Sequence, residues 1–311
     1  ENGGIVLSTT INKYIFISCR NLPPFFRHKH RFVYSKIELI KKIKDINHPT
    51  IKHVLNNFYK HKVKDGLEIH YDGDLPARSG IGSSSSFTVG LINALNSHLS
   101  LKMSTKELAM KSIILEQKLL KEKVGSQDQI AAAHGGLNEI NFFKNGNYSI
   151  NPIINDSKKI KSFEKKFILV FTGARKKKQT ADTITRKFIY KLNSAKKRNI
   201  LEIMSFAKAA KDMIKKSQFD DFGRLLNQSW KVKRDLSNAV SNNKIDELYH
   251  FGIKNGALGG KLLGAGGAGF FLFYVPTKHQ SKFIKSLKKN IVVPFKFEKE
   301  GSKIIFNDEK Y

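Results

Sequence analysis

One cysteine stands in 311 residues, so no internal disulfide can form. That excludes a disulfide-stapled secreted scaffold and fits a reducing compartment. Cys19 lies in an apolar strand-like run, IFISCR, with no partner thiol and no His or Asn motif assignable to it. It reads as a core thiol rather than a nucleophile. No run of about 18 apolar residues occurs, so no membrane-spanning helix is expected. The opening stretch ENGGIVLSTTINKY lacks the basic start and small-residue cleavage pattern of a signal peptide. Together these absences predict a cytoplasmic setting. Acidic residues are also scarce: 26 Asp and Glu face 56 Lys and Arg, a formal charge of +30. The lysines are spread over the whole length, often as doublets beside Ile, Asn and Phe. No RNP, zinc-finger or basic-zipper pattern accompanies them, so nucleic acid is not the expected partner. Attraction for phosphorylated small molecules is the more useful consequence.

What is present suffices for a packed core, with 40% hydrophobic and 11% aromatic residues. The apolar spacing predicts strands at GIVLSTT and KYIFISCR, at 30–34 and at LEIHYD (67–72). Helical spacing appears in HPTIKHVLNNFYK, at 84–99 and at 105–122, the last opened by Ser104-Thr105 with Glu107 as its first-turn acid. GLNEINFF and NYSINPI form a hairpin around Asn145-Gly146. The Lys-rich segment 152–165 is the expected domain boundary. Beyond it come a buried strand, FILVFTG, and amphipathic helices over 179–255 broken near Ser217 and Asn242. ALGGKLLGAGGAGFFLFYV, a basic helix and a last strand, IVVPFKF, follow. Strands and helices mix irregularly, which predicts an α+β fold of two domains, 1–160 and 161–311. No internal repeat is visible.

Three stretches carry chemistry. LPARSGIGSSSSF (75–87) runs straight into an apolar helix. Glycines there let the backbone approach an anion, and a helix N-terminus offers unpaired N–H groups. Gly80 and Gly82 form the turn, the N–H groups of Ile81 to Ser85 face phosphate, and a first-turn serine hydroxyl reaches a phosphate-bound Mg²⁺. It is neither a Walker A loop nor GxGxxG, and a flexible Gly/Ser loop is the competing reading. In LEQKLLKEKVGSQDQIAAAHGG, Glu116 closes one helix and Asp128 follows a Gly-Ser turn. The turn could fold Asp128 back toward Glu116, one carboxylate for a cation and the other for a hydroxyl proton. Two solvated surface carboxylates are the competing reading, as Glu107 and Glu122 are. Gly256 to Gly269 holds seven glycines in fourteen residues. That marks close approach of a ligand, or simply a tightly packed strand pair.

Taken together, the three stretches resemble the GHMP kinase superfamily. Its phosphate loop is matched by Pro76-Ala-Arg78-Ser79-Gly80-Ile81-Gly82-Ser83-Ser84, its Glu and G-x-x-D-Q turn by Glu116 and Gly125 to Gln129. Its C-terminal glycine motif is matched by Lys261 to Gly269. Within it, the phrases ENGGIVLSTTINKY, LPPFFRHKHRFVYSKIE, GDLPARSGIGSSSSFTVGL and VGSQDQIAAAHGG are similar to sugar kinases acting on D-glycero-D-manno-heptose 7-phosphate. The resemblance implies a ribosomal-protein-S5-like N-terminal domain and a ferredoxin-like C-terminal domain. It implies ATP and Mg²⁺, with Ser84 and Glu116 on the metal and Asp128 as base or hydroxyl-orienting group. Pro76, Arg78 and Ser79 lead into Gly80 to Ser85 around the ATP phosphates, while Gly264, Gly266 and Gly267 close over the substrates. The expected partner is a small sugar phosphate, its own phosphate held by one of Arg20, His28, Lys29, Arg31 or Arg175. A homo-oligomer is an open option. The family also carries, ahead of ENGG, an Arg near the transferred phosphate and a G-G-G-T-D-Y-P-like stretch. This sequence opens at Glu1 without it, so impaired activity and an exposed sheet edge beside residues 4–9 are expected.

Overall fold

In the computed structural model, residues 3–175, 180–190 and 192–308 are described. Glu1 and Asn2, which open the ENGG phrase, lie outside them. The chain divides into two units: residues 1–12, 77–81 and 136–299 form the first, and 13–76, 82–135 and 300–311 the second. Strands and helices mix as an α+β chain, and position 160, the expected boundary, falls inside a helix of the first unit.

The first unit holds β1 (Gly4–Ile11), β6 (Leu137–Phe142), β7 (Tyr148–Pro152), β8 (Phe167–Gly173), β9 (Gly259–Leu262), β10 (Gly269–Tyr274), β11 (Ile291–Val293) and β12 (Phe297–Glu298). They form two sheets, ordered β12-β1-β6-β7 and β11-β8-β10-β9, antiparallel throughout. The β6–β7 hairpin turns at Gly146, whose φ of 84° suits glycine. IVVPFKF was expected as one strand. Pro294 has no N–H for a ladder, and the stretch instead splits into β11, on β8, and β12, on β1. Along residues 4–9 β1 pairs with β6, whereas β12 covers its other side only at Thr10 and Ile11. Helices α5 (Ser157–Glu164), α6 (Ala181–Tyr190), α7 (Ser194–Lys215), α8 (Phe219–Arg234), α9 (Asn243–Lys254) and α10 (Thr277–Ser286) complete the unit. β10, GFFLFY, is buried at every residue except the half-buried Leu272. Its Phe271 meets the edge of Trp230 at 5.5 Å and its Phe273 meets Phe283 at 5.2 Å, tying α8 and α10 to the sheet.

The second unit holds β2 (Ile15–Leu22), β3 (His30–Val33), β4 (Ile37–Ile40) and β5 (Gly66–Gly73), ordered β2-β5-β3-β4, with α1 (Pro49–Phe58), α2 (Ser83–His98), α3 (Thr105–Ile114) and α4 (Gln127–His134). α1 starts on Pro49 with the His48 ring as its cap, and α3 starts with the full Ser104–Glu107 capping box. Glu107 is thereby a capping residue. In β2 the residues alternate, with Ile17 against Gly90 of α2 and Arg20 outward. Cys19 lies half-buried on the inner face, where burial pushes its thiol up to about 12. It is a core thiol. Among the described residues, no helix of either unit is long and apolar enough to cross a membrane.

Candidate functional site

The glycines before α2 do what the sequence requires of them. Gly80 and Gly82 take φ of 79° and 77°, and Arg78 takes 62°, a left-handed conformation uncommon without glycine. Gly82 caps α2 with no side chain, and its carbonyl accepts the Ser86 N–H at 2.9 Å. The N–H groups of the first turn are thus left without intrahelical partners. Ser84 is exposed there, while Ser85 is buried. Pro76 and Arg78 are exposed and Ser79 is fully buried. The chain crosses from one unit to the other within this loop, since 77–81 belong to the first and Gly82 onward to the second.

In the second unit, α3 does not end at Ile114 but continues as a π-turn over Leu115–Leu119. Such turns widen the helix by one residue and occur often at functional sites. This one carries Glu116, which is 2% exposed. Its Oε2 accepts the Ser85 hydroxyl at 3.0 Å and the Gln129 amide. Its Oε1 is buried without a hydrogen-bond partner. Burial pushes the carboxyl up to about 7, against the bonds from Thr88, Ser85 and Gln129 that favour its ionised form. A buried carboxylate oxygen left over beside a hydroxyl is a fitting place for a hard cation.

The turn after Glu116 folds back as expected. Gln117 donates to the Val124 carbonyl and to the Ser126 hydroxyl, each at 3.0 Å, which brings the start of α4 against the π-turn. α4 then presents two neighbours in two directions. Gln129 reaches Glu116, and Asp128 faces the phosphate loop: a Cβ on Gly82 would stand 3.4 Å from the Asp128 Cβ and Cγ. Sequence reasoning had singled out Glu116, Asp128 and Ser84, but not Gln129 as a carboxylate partner or Ser85 as the hydroxyl on Glu116. Gln129 lies inside a matched motif and Ser85 directly follows one, so the signal was there without the direction of each side chain.

Glu116 also sets a pH dependence. A carboxyl whose folded value exceeds its ordinary 4.5 favours the fold when protonated. Its contribution is fully present below about 4.5 and is lost as pH rises through about 7, on the order of 3 kcal/mol in all. Thermal melts from pH 4.5 to 8 without divalent cation are expected to show that fall. The fall should vanish in Glu116→Gln. Mg²⁺ should restore the wild type at pH 8 and leave the variant unchanged.

In the first unit, the glycine-rich loop between β9 and β10 has its carbonyls engaged by side chains. Lys233 of α8 donates to the Leu262 and Gly264 carbonyls at 3.0 and 2.7 Å, and Asn242 donates to that of Gly267 at 2.9 Å. Arg175 Nε donates to that of Gly266 at 2.9 Å. Gly264, Gly266 and Gly267 take φ of 69°, 121° and 83°. Gly264 also lies against Gly80 of the same unit, where an added Cβ would come within 2.5 Å of the Gly80 carbonyl oxygen.

Each residue that the sequence offers for an acceptor's own phosphate has contacts of its own. Arg20 and Arg31 both grip Glu68, with Arg20 Nη2 at 2.6 Å and Arg31 Nε at 2.6 Å, and His70 joins them. Burial raises the Glu68 carboxyl, and these bonds outweigh it and hold the group low. Lys29 is tied to the Lys64 carbonyl at 2.8 Å, and the His28 ring stacks on Phe26 at 5.4 Å. Arg175 is 7% exposed and bound to the glycine-rich loop, so it is not placed as an open phosphate ligand.

Comparison with known proteins bears on the whole chain. The family model described as GHMP kinases N terminal domain matches residues 47–136, and that described as GHMP kinases C terminal matches 208–290. A D-glycero-alpha-D-manno-heptose 7-phosphate kinase of Campylobacter jejuni is 31% identical over 259 residues, covering 80% of this chain and 76% of that one. A mevalonate kinase of Methanocaldococcus jannaschii is 28% identical over 74% of this chain and 68% of its own. The crystal structure of Lactococcus lactis galactokinase complexed with galactose superposes with a TM-score of 0.74 over 97% of this chain and 90% of that one. At 16% identity, that likeness speaks for the fold.

Proposed function

Because this chain belongs to the GHMP kinase family, we propose that it transfers the γ-phosphoryl group of ATP to the anomeric hydroxyl of a heptose 7-phosphate. The observation that carries this reading is Glu116, a buried carboxylate on a first-turn hydroxyl of α2 with one oxygen to spare. Oxygen donors of this kind suit Mg²⁺, held by Glu116 with Ser84 or Ser85. Among the described residues no group of three or more His, Cys, Asp and Glu could hold a metal ion. The remaining ligands would be nucleotide phosphates and water, as is usual for Mg²⁺. Bound there, Mg²⁺ would neutralise charge on the phosphoryl group in transit.

The chain's own residues do the rest. Phosphoryl transfer asks for positioning and charge more than for covalent chemistry. The amides of Gly80 to Ser85 receive the phosphates, with Pro76, Arg78 and Ser79 fixing the approach. Gly264 and Gly266 offer further backbone amides, while the Gly267 N–H is held by the Val240 carbonyl at 3.1 Å and fixes the loop. Asp128 aligns the acceptor hydroxyl and takes its proton as the oxygen attacks the γ-phosphorus and the bond to ADP breaks. The acceptor is proposed from the relative named for heptose 7-phosphate, and ATP as donor fits a cytoplasmic setting.

The test is ATP turnover with Mg²⁺ against a panel of sugars and sugar phosphates. Turnover with D-glycero-D-manno-heptose 7-phosphate, giving a product phosphorylated at C1, is the expected result. Turnover with another acceptor alone would keep the kinase and remove the heptose. ATP binding with no acceptor used would overturn the reading.

A further inference from the structure

We propose that Arg175 is a positioning residue that sets the phosphate loop and the glycine-rich loop of the first unit in register, so that both meet the nucleotide phosphates in one fixed geometry. The inference rests on the kinase reading and deepens it. All the residues involved, 78–80, 172–175 and 262–269, belong to that one unit.

Arg175 lies two residues beyond the end of β8, and its side chain is 7% exposed. Burying a guanidinium is costly unless its donors are engaged. Here Nε donates to the Gly266 carbonyl at 2.9 Å, while the backbone N–H of the same residue donates to the Arg78 carbonyl at 3.4 Å. The fork lies between the loops. A Cβ on Gly80 would stand 2.6 Å from Arg175 Nη2 and 2.8 Å from the Leu263 carbonyl oxygen, and one on Gly264 would stand 2.8 Å from the same Nη2. Glycine at both positions therefore leaves the space that the guanidinium fills.

The surrounding contacts give the arrangement its purpose. Thr172 exchanges hydrogen bonds with Gly269, accepting its N–H and donating to its carbonyl, both at 3.0 Å. With Arg175 on Gly266, the end of β8 holds two points of the loop, and Lys233 and Asn242 hold the carbonyls of residues 262, 264 and 267. A trans peptide turns its N–H opposite to its C=O, so the Ala265 N–H points away from the Gly264 carbonyl that Lys233 holds. A backbone N–H turned outward in this way can serve an anion. Arg175 differs from Lys233 and Asn242 in that its side chain also packs on the phosphate loop. Its planar guanidinium bonds the glycine-rich loop through Nε while Nη2 packs between Gly80 and Gly264, a shape that an ammonium does not reproduce.

The experiment compares wild type, Arg175→Ala and Arg175→Lys, reading KM for ATP, KM for the acceptor, kcat, and amide hydrogen exchange of the intact protein. Arg175→Ala is expected to raise KM for ATP by about tenfold or more, the scale of a lost charged hydrogen bond, with KM for the acceptor unchanged. Free guanidinium at millimolar concentration should restore part of the loss, and Lys should not restore it fully. Exchange should quicken at 78–81 and 263–268 while β8 and β10 keep their protection. Four results would overturn the proposal: unchanged exchange in both loops, an unchanged KM for ATP, exchange that rises through β8 and β10 alike, or a rise in the acceptor's KM in place of ATP's. Should the wild type turn over no acceptor, the kinase reading fails by itself. Direct ATP titration and loop exchange then decide the role of Arg175 separately.

Discussion

Asp128→Asn is expected to lower turnover by about 10²- to 10⁴-fold, with ATP affinity within about twofold of wild type. Asp128 sits half-buried in the first turn of α4, its Cβ and Cγ 3.4 Å from where a Cβ on Gly82 would stand. Asn keeps that shape and removes the charge that would take the acceptor's proton. An acid in the first turn also favours its helix, by about 0.3–1 kcal/mol, so the variant should melt only slightly lower. The measurement is single-turnover kinetics with a parallel ATP titration and a melting curve. Parallel loss of turnover and ATP affinity would give Asp128 a structural role, holding the loop at Gly82. Full activity would remove it from the chemistry.

Gly135→Ala is expected to cost about 3–5 kcal/mol and to lower Tm by on the order of 10 °C. Two independent causes add at this position. Gly135 ends α4 with φ 70° and ψ −179°, a region open almost only to glycine. Its missing Cβ would also lie 2.1 Å from the Glu300 carbonyl carbon and 2.3 Å from the Gly301 N, backbone atoms that cannot swing aside. The C-terminal segment crosses the end of α4 here. A Cβ on Gly301 would stand 2.1 Å from the Ala133 carbonyl oxygen, Ser302 N–H bonds the Ala132 carbonyl at 2.8 Å, and Asn93 of α2 donates to the Ser302 hydroxyl at 3.0 Å. Gly301→Ala should therefore also destabilise. The double variant should cost less than the sum of the two, since one displacement of the segment relieves both clashes. Gly125→Ala is the control: nothing lies within 4 Å of its Cβ position, and a change within about 0.5 kcal/mol is expected. α4 carries Asp128 and Gln129, so turnover in Gly135→Ala should fall with stability. Full activity at unchanged Tm would show that the crossing is not what fixes α4.

The Lys-rich segment 152–165 shows where local reading stops. Its composition suggests a boundary, yet residues 157–164 form α5, capped by Asp156 and anchored by Phe163 among Phe167, Phe219 and Phe222. One aromatic in the right place outweighs the charge around it, because burial is decided by partners far along the chain. The same holds at Glu116. Spacing marks it as a helix-end acid, and nothing local says that a π-turn will bury it under Ser85, Gln129 and Thr88 and raise its carboxyl to about 7.

By itself the sequence determined the local features of this protein: the glycine turn into α2, the Ser104–Glu107 cap, the hairpin at Gly146, the alternation of β2 and the fully apolar β10. Each depends on residues within a few positions of one another, where backbone sterics and hydrogen bonding act directly. Its motifs also named Glu116, Asp128 and the two glycine-rich loops. Only the tertiary structure decided that Pro294 parts one apolar stretch between two sheets, that Gly135 and Gly301 cross backbone to backbone, and that Arg175 lies between Gly80 and Gly264. These contacts join residues tens to hundreds of positions apart. Close packing and the desolvation of buried charge select them, and neither acts on a chain until it has folded.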